Sequence, residues 1–126
     1  MREETVQYFT EREDEFANLL IQIGTRKNVA KALVFLASTQ EATTGEIEHG
    51  ADMRQPEVSL AMKCLTQLGF VKSRDGPSAN KGRPVKIYTL AKPLTEILEF
   101  IEKGKQDEIR KRLERVKELG SYVNRE

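Results

Sequence analysis

The hydrophobic period of this sequence changes from helical to extended at Gly69, and this change constrains the fold more than any other feature. Before Gly69, apolar residues recur on one helical face: Val58, Ala61 or Met62, Leu65 and Leu68. After it, residues 70–74 read as a strand, and residues 85–90 alternate with a period of two. Turn formers fill the segment DGPSANKGRP between these two runs. The pattern predicts a helix that leads directly into a β-hairpin.

Two further helices are predicted upstream of this unit. Apolar residues at steps of three and four indicate an N-terminal helix over about residues 3–23. Thr10 and Glu13 have the spacing of a capping box, so the main part of this helix can begin there. A second helix is expected from about Asn28, a plausible N-cap, through the apolar run VAKALVFLAS.

The segment ATTGEIEHGADM allows two local structures. Thr43 and Thr44 can extend as a very short strand, or one of them can cap a short helix around residues 46–50. The next helix opens at RQPEV, where Pro56 suits a first helical turn because its missing N–H is not needed there.

Apolar residues at helical spacing return over about residues 93–119. Lys105 interrupts the apolar seam and Gly104 weakens the helix. This region is therefore either one long helix with a phase shift or two shorter helices. In a chain of 126 residues we expect a single domain, mainly α with a small β-hairpin (an α+β class).

Charge is distributed unevenly, although the net charge is only +1. Between residues 53 and 86, seven cations stand against two carboxylates, a local net charge of +5. A basic block within a nearly neutral chain is typical of a phosphate-binding surface, and the alternative is a solvated hairpin and helix face.

The predicted order is helix, helix, short strand, short helix, longer helix, basic hairpin and long helix, which is the plan of a winged helix-turn-helix. The segments TTGEIEHGADMRQPEVSLAMKCLTQLGFVKSR and KGRPVKIYTLA resemble the DNA-binding half of small prokaryotic winged-helix transcriptional regulators, in particular archaeal regulators of the MarR/TrmB-like type. The resemblance covers about residues 28–90. It implies a regulator of transcription that binds double-stranded DNA.

On this resemblance, residues 55–68 form the recognition helix and enter the major groove. Gln55 is suited to adenine N6/N7 and Arg54 to guanine O6/N7, whereas Ser59 and Lys63 suit phosphates or a less discriminating base contact. Thr44 would meet the DNA backbone, where the shorter helix crosses it. The alternative is that the polar residues only complete a cap and a solvated face.

The hairpin corresponds to the wing in the same resemblance. Its candidate DNA-binding residues are cations: Arg74, Lys81, Arg83 and Lys86. Lys81-Gly82-Arg83-Pro84 is slim and cationic, which fits a narrow A·T-rich minor groove or its flanking phosphates. The alternative is a flexible loop whose charges keep the hairpin edge from aggregating.

Apolar seams beyond the winged-helix core indicate a homodimer through the N- and C-terminal helices, since operators are commonly read as two half-sites. A monomer whose last helix packs on its own chain is the alternative. The competing class of function is a winged helix that binds protein in a transcription or scaffold complex. No small-molecule effector can be read from the sequence.

Enzymatic activity is not expected, since no nucleophile or metal constellation is visible, and neither a metal nor a cofactor is predicted. The lone Cys64 is expected to be a small buried hydrophobe rather than an oxidant sensor, and the lone His49 a solvated residue. The longest apolar run, residues 32–37, is too short to span a membrane, and the acidic N-terminus lacks a signal-like apolar region. A cytoplasmic location is therefore expected.

Overall fold

The computed structural model describes residues 9–78 and 84–123. They form five helices and three strands: α1 (Glu11–Gln22), α2 (Lys27–Thr39), β1 (Glu41–Thr43), α3 (Thr44–Gly50), α4 (Gln55–Gln67), β2 (Val71–Ser78), β3 (Pro84–Leu90) and α5 (Leu94–Val123). The chain divides into two compact units, Met1–Pro93 and Leu94–Glu126. The first unit contains all three strands and the first four helices, and the second contains α5.

Helix α1 begins at a capping box, as its sequence predicts. The Thr10 hydroxyl accepts the Glu13 N–H at 3.2 Å, and Glu13 Oε1 accepts the Thr10 N–H at 2.8 Å. The main part of the helix starts at Glu11, where this capping box places it, and Thr10 itself has an extended backbone. Residues 3–8 of the predicted helix lie outside the described residues.

Helix α2 provides more buried residues to the core of the first unit than any other described helix or strand. Seven of its residues are buried, from Val29 to Leu36, and Phe9 stacks on Phe35 with ring centroids 6.4 Å apart. The prediction that Asn28 is the N-cap is wrong, because the helix begins at Lys27 and Arg26 is its N-cap residue, two residues earlier than predicted. Asn28 instead lies in the first turn, where its Oδ1 accepts the Val29 N–H at 2.8 Å.

The threonine segment forms both of the structures that its sequence allows. Thr43 ends β1 and is also the N-cap of α3, in a second capping box with Glu46. Strand β1 pairs with β3, with Ala42 opposite Tyr88. The hairpin is thereby extended to a three-stranded antiparallel sheet in the order β1-β3-β2.

Helix α4 ends at Gly69 in a Schellman motif. The Phe70 N–H donates to the Leu65 carbonyl and the Gly69 N–H to the Thr66 carbonyl, both at 3.0 Å. Gly69 has φ +81°, a left-handed conformation that glycine adopts without the Cβ penalty of other residues. The turn sends the buried Phe70 and Val71 into β2, which continues to Ser78, further than the predicted end at residue 74.

The described part of the second unit is one continuous helix of 30 residues. It passes through Gly104 without a break, so the two-helix alternative is excluded, and it extends four residues beyond the predicted end at residue 119. A helix of this length spans about 45 Å at 1.5 Å per residue. Among the described helices, none is long and apolar enough to cross a membrane.

Candidate nucleic-acid interface

The two sides of α4 have opposite character. Val58, Ala61, Met62 and Leu65 are each at most 2% exposed and face the core. The residues on the other side are exposed and include the four candidates that the sequence predicts at this helix: Arg54, Gln55, Ser59 and Lys63. The core therefore orients α4 so that an exposed and mainly polar face, interrupted by Leu60, points away from the core of the first unit.

Hydrogen bonding within α4 organises the first turn of this face. Gln55 Nε2 donates to Ser59 Oγ at 3.3 Å, one helical turn along the exposed surface. A glutamine amide nitrogen has two N–H groups and its oxygen accepts, so this bond leaves one donor and the acceptor available. Those two groups form the bidentate set that matches adenine N7 and N6.

Arg54 precedes α4 as its N-cap residue. Its backbone N–H donates to Glu57 Oε1 at 2.9 Å, which makes half of a capping box. The guanidinium cannot accept a hydrogen bond and so cannot complete the other half. The Arg54 side chain is therefore not needed for capping. Arg54 is exposed and lies at the N-terminal end of α4, next to Gln55.

Thr44 is half-buried and is the first residue of α3, directly after the capping threonine. The capping box of α3 uses the side chains of Thr43 and Glu46, so the Thr44 hydroxyl is not its capping group. The sequence allows either threonine to cap this helix, and the structure assigns that role to Thr43.

The hairpin carries its cations next to carboxylates. Arg74 Nη2 lies 3.2 Å from Glu41 Oε1, and both side chains are more than half exposed. Lys86 is exposed and pairs in register with Asp75 on β2. The local charge of +5 is thus partly offset in space by Glu41, which lies outside the basic block in sequence. The other two wing candidates, Lys81 and Arg83, lie outside the described residues.

Close packing supports the described part of the hairpin. A Cβ added at Gly76 would lie 2.6 Å from Ile87 Cδ1 and 3.3 Å from the Val85 carbonyl oxygen, so the end of the Ile87 side chain would have to move. The absence of a side chain at residue 76 allows β2 to pass over Ile87 as the register shifts between Asp75 and Ser78.

Two cations that the sequence did not single out lie beside α4. Lys27 and Lys31, from the first turns of α2, line an open groove together with Arg54. Their spacing of four residues places them on one helix face, and only the packing of α2 against α4 reveals that this face borders the candidate interface.

Cys64 is half-buried, which is less than the full burial expected for it, and His49 is exposed in the last turn of α3. Within residues 9–78 and 84–123, no three histidine, cysteine, aspartate or glutamate side chains are grouped so that they could hold a metal ion.

The order of helices and strands, the exposed face of α4 and the antiparallel hairpin define a winged helix-turn-helix fold, which confirms the predicted fold class. In this fold α3 and α4 are the helix-turn-helix, and β2 and β3 form the wing. The sequence resemblance predicts that the structural neighbours are winged-helix regulators of the TrmB-like and MarR types. Comparison with solved structures confirms this prediction.

Three solved structures illustrate the likeness. A possible transcriptional regulator from Methanosarcina mazei Go1 superposes with a TM-score of 0.62 at 15% identity, over 86% of this chain and 88% of that one. TrmBL2, described as an archaeal chromatin protein with a novel mode of DNA binding, gives 0.60 at 20% identity. A MarR family transcriptional regulator from Silicibacter pomeroyi DSS gives 0.51 at 16% identity, over 90% of this chain and 82% of that one.

The match to TrmBL2 covers 88% of this chain but only 40% of that protein, so this chain spans about two-fifths of its length. At these identities the likeness shows the shared fold. Comparison of the sequence with protein-family models and with curated proteins finds no match.

Proposed function

We propose that this chain is a sequence-specific, double-stranded-DNA-binding regulator of transcription, not an enzyme, which acts in the cytoplasm as a homodimer. The observation that carries the proposal is the exposed polar face of α4, held outward by four buried apolar residues on its other side. The structural neighbours support it, since several are described as transcriptional regulators and one as DNA-binding.

In this proposal the N-terminal turns of α4 enter the major groove. Gln55 reads adenine and Arg54 reads guanine, since both side chains start from exposed residues at the end of the helix. Ser59 orients the Gln55 amide through their hydrogen bond, and Lys63 contacts phosphate. Thr44 contacts the backbone from the beginning of α3.

The wing supplies the second set of contacts. Lys86 is exposed on β3, and Arg74 is half-exposed in its ion pair with Glu41. An exposed ion pair contributes little stability, so Arg74 can exchange Glu41 for a phosphate at small cost. Lys81 and Arg83 are assigned to the minor groove or its flanking phosphates from the sequence alone.

The homodimer is proposed to form through α5 and α1. Along α5, one stripe of large apolar side chains is 53–77% exposed: Ile109, Leu113, Val116, Leu119 and Val123. On α1, Leu19 is 60% exposed, and Ile23, the C-cap residue of this helix, is 47% exposed. Contiguous exposed apolar surface of this kind marks an interaction site, and a second copy of the chain presents the same seams for mutual burial.

Duplex binding across a salt series, measured by fluorescence anisotropy, tests the proposal. If each protomer neutralises three or four phosphates, log K should fall against log[salt] with a slope of about −6. A protein that binds no duplex even at low salt would not have the proposed function.

Protein binding is the second candidate function, and the exposure of Leu60 favours it. This leucine is 62% exposed in the middle of the outer face of α4, with Leu68 45% exposed further along the helix. A leucine can contact a thymine methyl group, but it serves equally well as an anchor for an apolar partner. Retention of a protein partner without measurable duplex affinity would favour this function.

A further inference from the structure

The groove beside α4 combines cations from two separate helices. It has a volume of about 620 Å³ and lies between the first turns of α2 and the N-terminal end of α4. Lys27 and Lys31 line it on the α2 side and Arg54 on the α4 side, 23 residues or more away in sequence. The groove is distinct from the wing, and it shares Arg54 with the exposed face of α4.

Two hydrogen bonds hold the sides of the groove together. Asn28 Nδ2 donates to the Glu57 carbonyl at 3.4 Å, and Lys31 Nζ donates to the Asp52 carbonyl at 3.1 Å. Both acceptors are backbone oxygens, so the lysine charge is not cancelled by this contact. The ammonium group of Lys31 retains two further protons for another acceptor.

The carboxylates that border the groove do not outnumber its cations. Glu57 and Asp52 line it beside Lys27, Lys31 and Arg54. The Glu57 carboxylate is already hydrogen-bonded to the backbone N–H of Arg54, at 2.9 Å. Lys27 is exposed at the outer edge. The groove therefore presents net positive charge, with lysine side chains that can reach outward.

We propose that Lys27 and Lys31 bind phosphates of the DNA strand that borders the major groove entered by α4. This inference rests on the proposed function. The major groove is about 12 Å wide and accommodates one helix, so elements beside a bound helix meet the flanking backbone. The first turns of α2 are beside α4, joined to its first turn by the Asn28–Glu57 bond. Phosphate contacts of this type fix the register of the recognition helix, α4, on the duplex.

The test compares salt slopes of the full-length protein and a Lys27→Gln/Lys31→Gln variant on the same duplex. Loss of two phosphate contacts should make the slope shallower by about 1.8 for each protomer bound. The charge-preserving variant Lys27→Arg/Lys31→Arg should retain the wild-type slope. As a matched control, Lys103→Gln/Lys111→Gln removes two exposed lysines from α5, on the side opposite its apolar stripe, and should leave the slope unchanged.

The outcomes separate the two proposals. If the wild type binds duplex and the Lys27→Gln/Lys31→Gln variant keeps the same slope, the groove does not contact phosphate, and the proposed function stands. If the wild type binds no duplex, both proposals are overturned. Because Lys31 also bonds to the Asp52 carbonyl, Lys27→Gln is measured alone as well. The Lys27→Gln substitution changes only an exposed side chain. The slope of log K against log[salt] should become shallower by about 0.9 per protomer in this variant.

Discussion

Replacing Gln55 with alanine should abolish a preference for adenine without changing the salt dependence of DNA binding. Gln55 is exposed in the first turn of α4, and its amide is held by Ser59 Oγ at 3.3 Å with one donor and the acceptor left over. A bidentate amide–adenine pair discriminates by about 1–3 kcal/mol. The preference at one position of each half-site should therefore fall by roughly 5–150-fold.

Removing the Ser59 hydroxyl should have a smaller effect of the same kind. Ser59→Ala eliminates one exposed hydrogen bond, worth about 0.5–1.5 kcal/mol, so the preference for adenine should fall by roughly 2–13-fold. Gln55→Glu should change the preferred base from adenine to cytosine, because a carboxylate accepts from cytosine N4 and cannot donate to adenine N7.

The assay is selection of duplexes from a random library by the wild type, followed by affinity measurements on the selected site and its single-base variants. Gln67→Ala is the matched control, since it removes the same side chain from an exposed residue in the last turn of α4. An adenine preference that survives Gln55→Ala, or a loss of affinity equal for all four bases, would refute the assignment of Gln55 as a base-reading residue.

Four further predictions test the remaining parts of the molecule. Leu113→Glu, at a 57% exposed residue of the α5 stripe, should reduce the mass measured by sedimentation from about twice the 14.4-kDa chain to that of the monomer, while a persistent dimer would exclude the stripe as the contact. Arg83→Ala should weaken duplex binding most on A·T-rich flanks, and an affinity unchanged in anisotropy would remove this residue from the mechanism. Thr43→Ala should lower the free energy of unfolding in urea by about 1 kcal/mol through loss of the α3 cap, and no change in the midpoint would mean that the bond is not stabilising. Gly69→Ala should lower it by about 1–2 kcal/mol, because a Cβ is disfavoured at φ +81° although the space is open, and equal stability would contradict that reasoning.

Local patterns in the sequence were sufficient to predict the helices and several of their ends. The capping box at Thr10, the first turn at Pro56 and the stop at Gly69 depend on residues within a few positions of each other. The start of α2 was mispredicted because an asparagine in the first turn can bond to the next backbone N–H and resembles an N-cap by composition. The alternation of residues 85–90 was likewise enough to predict β3.

The sequence alone was enough to predict the candidate site residues that lie together on one helix. The face of α4 follows from helical periodicity, so the common exposure of Gln55, Ser59 and Lys63 could be expected. The bond between Gln55 and Ser59 follows from their i,i+4 spacing, although its consequence for the amide becomes visible only with the geometry.

Contacts between distant segments were decided only by the tertiary structure. Glu41 reaches Arg74 because β1 joins the hairpin on the far side of β3, and this pairing has no local signature. Lys31 and Arg54 border one groove because α2 packs against α4. The sequence by itself determined the elements and their apolar faces, since periodicity and capping act within one or two turns. The arrangement of charges on the surface depended on the fold, since it is set by which elements pack side by side.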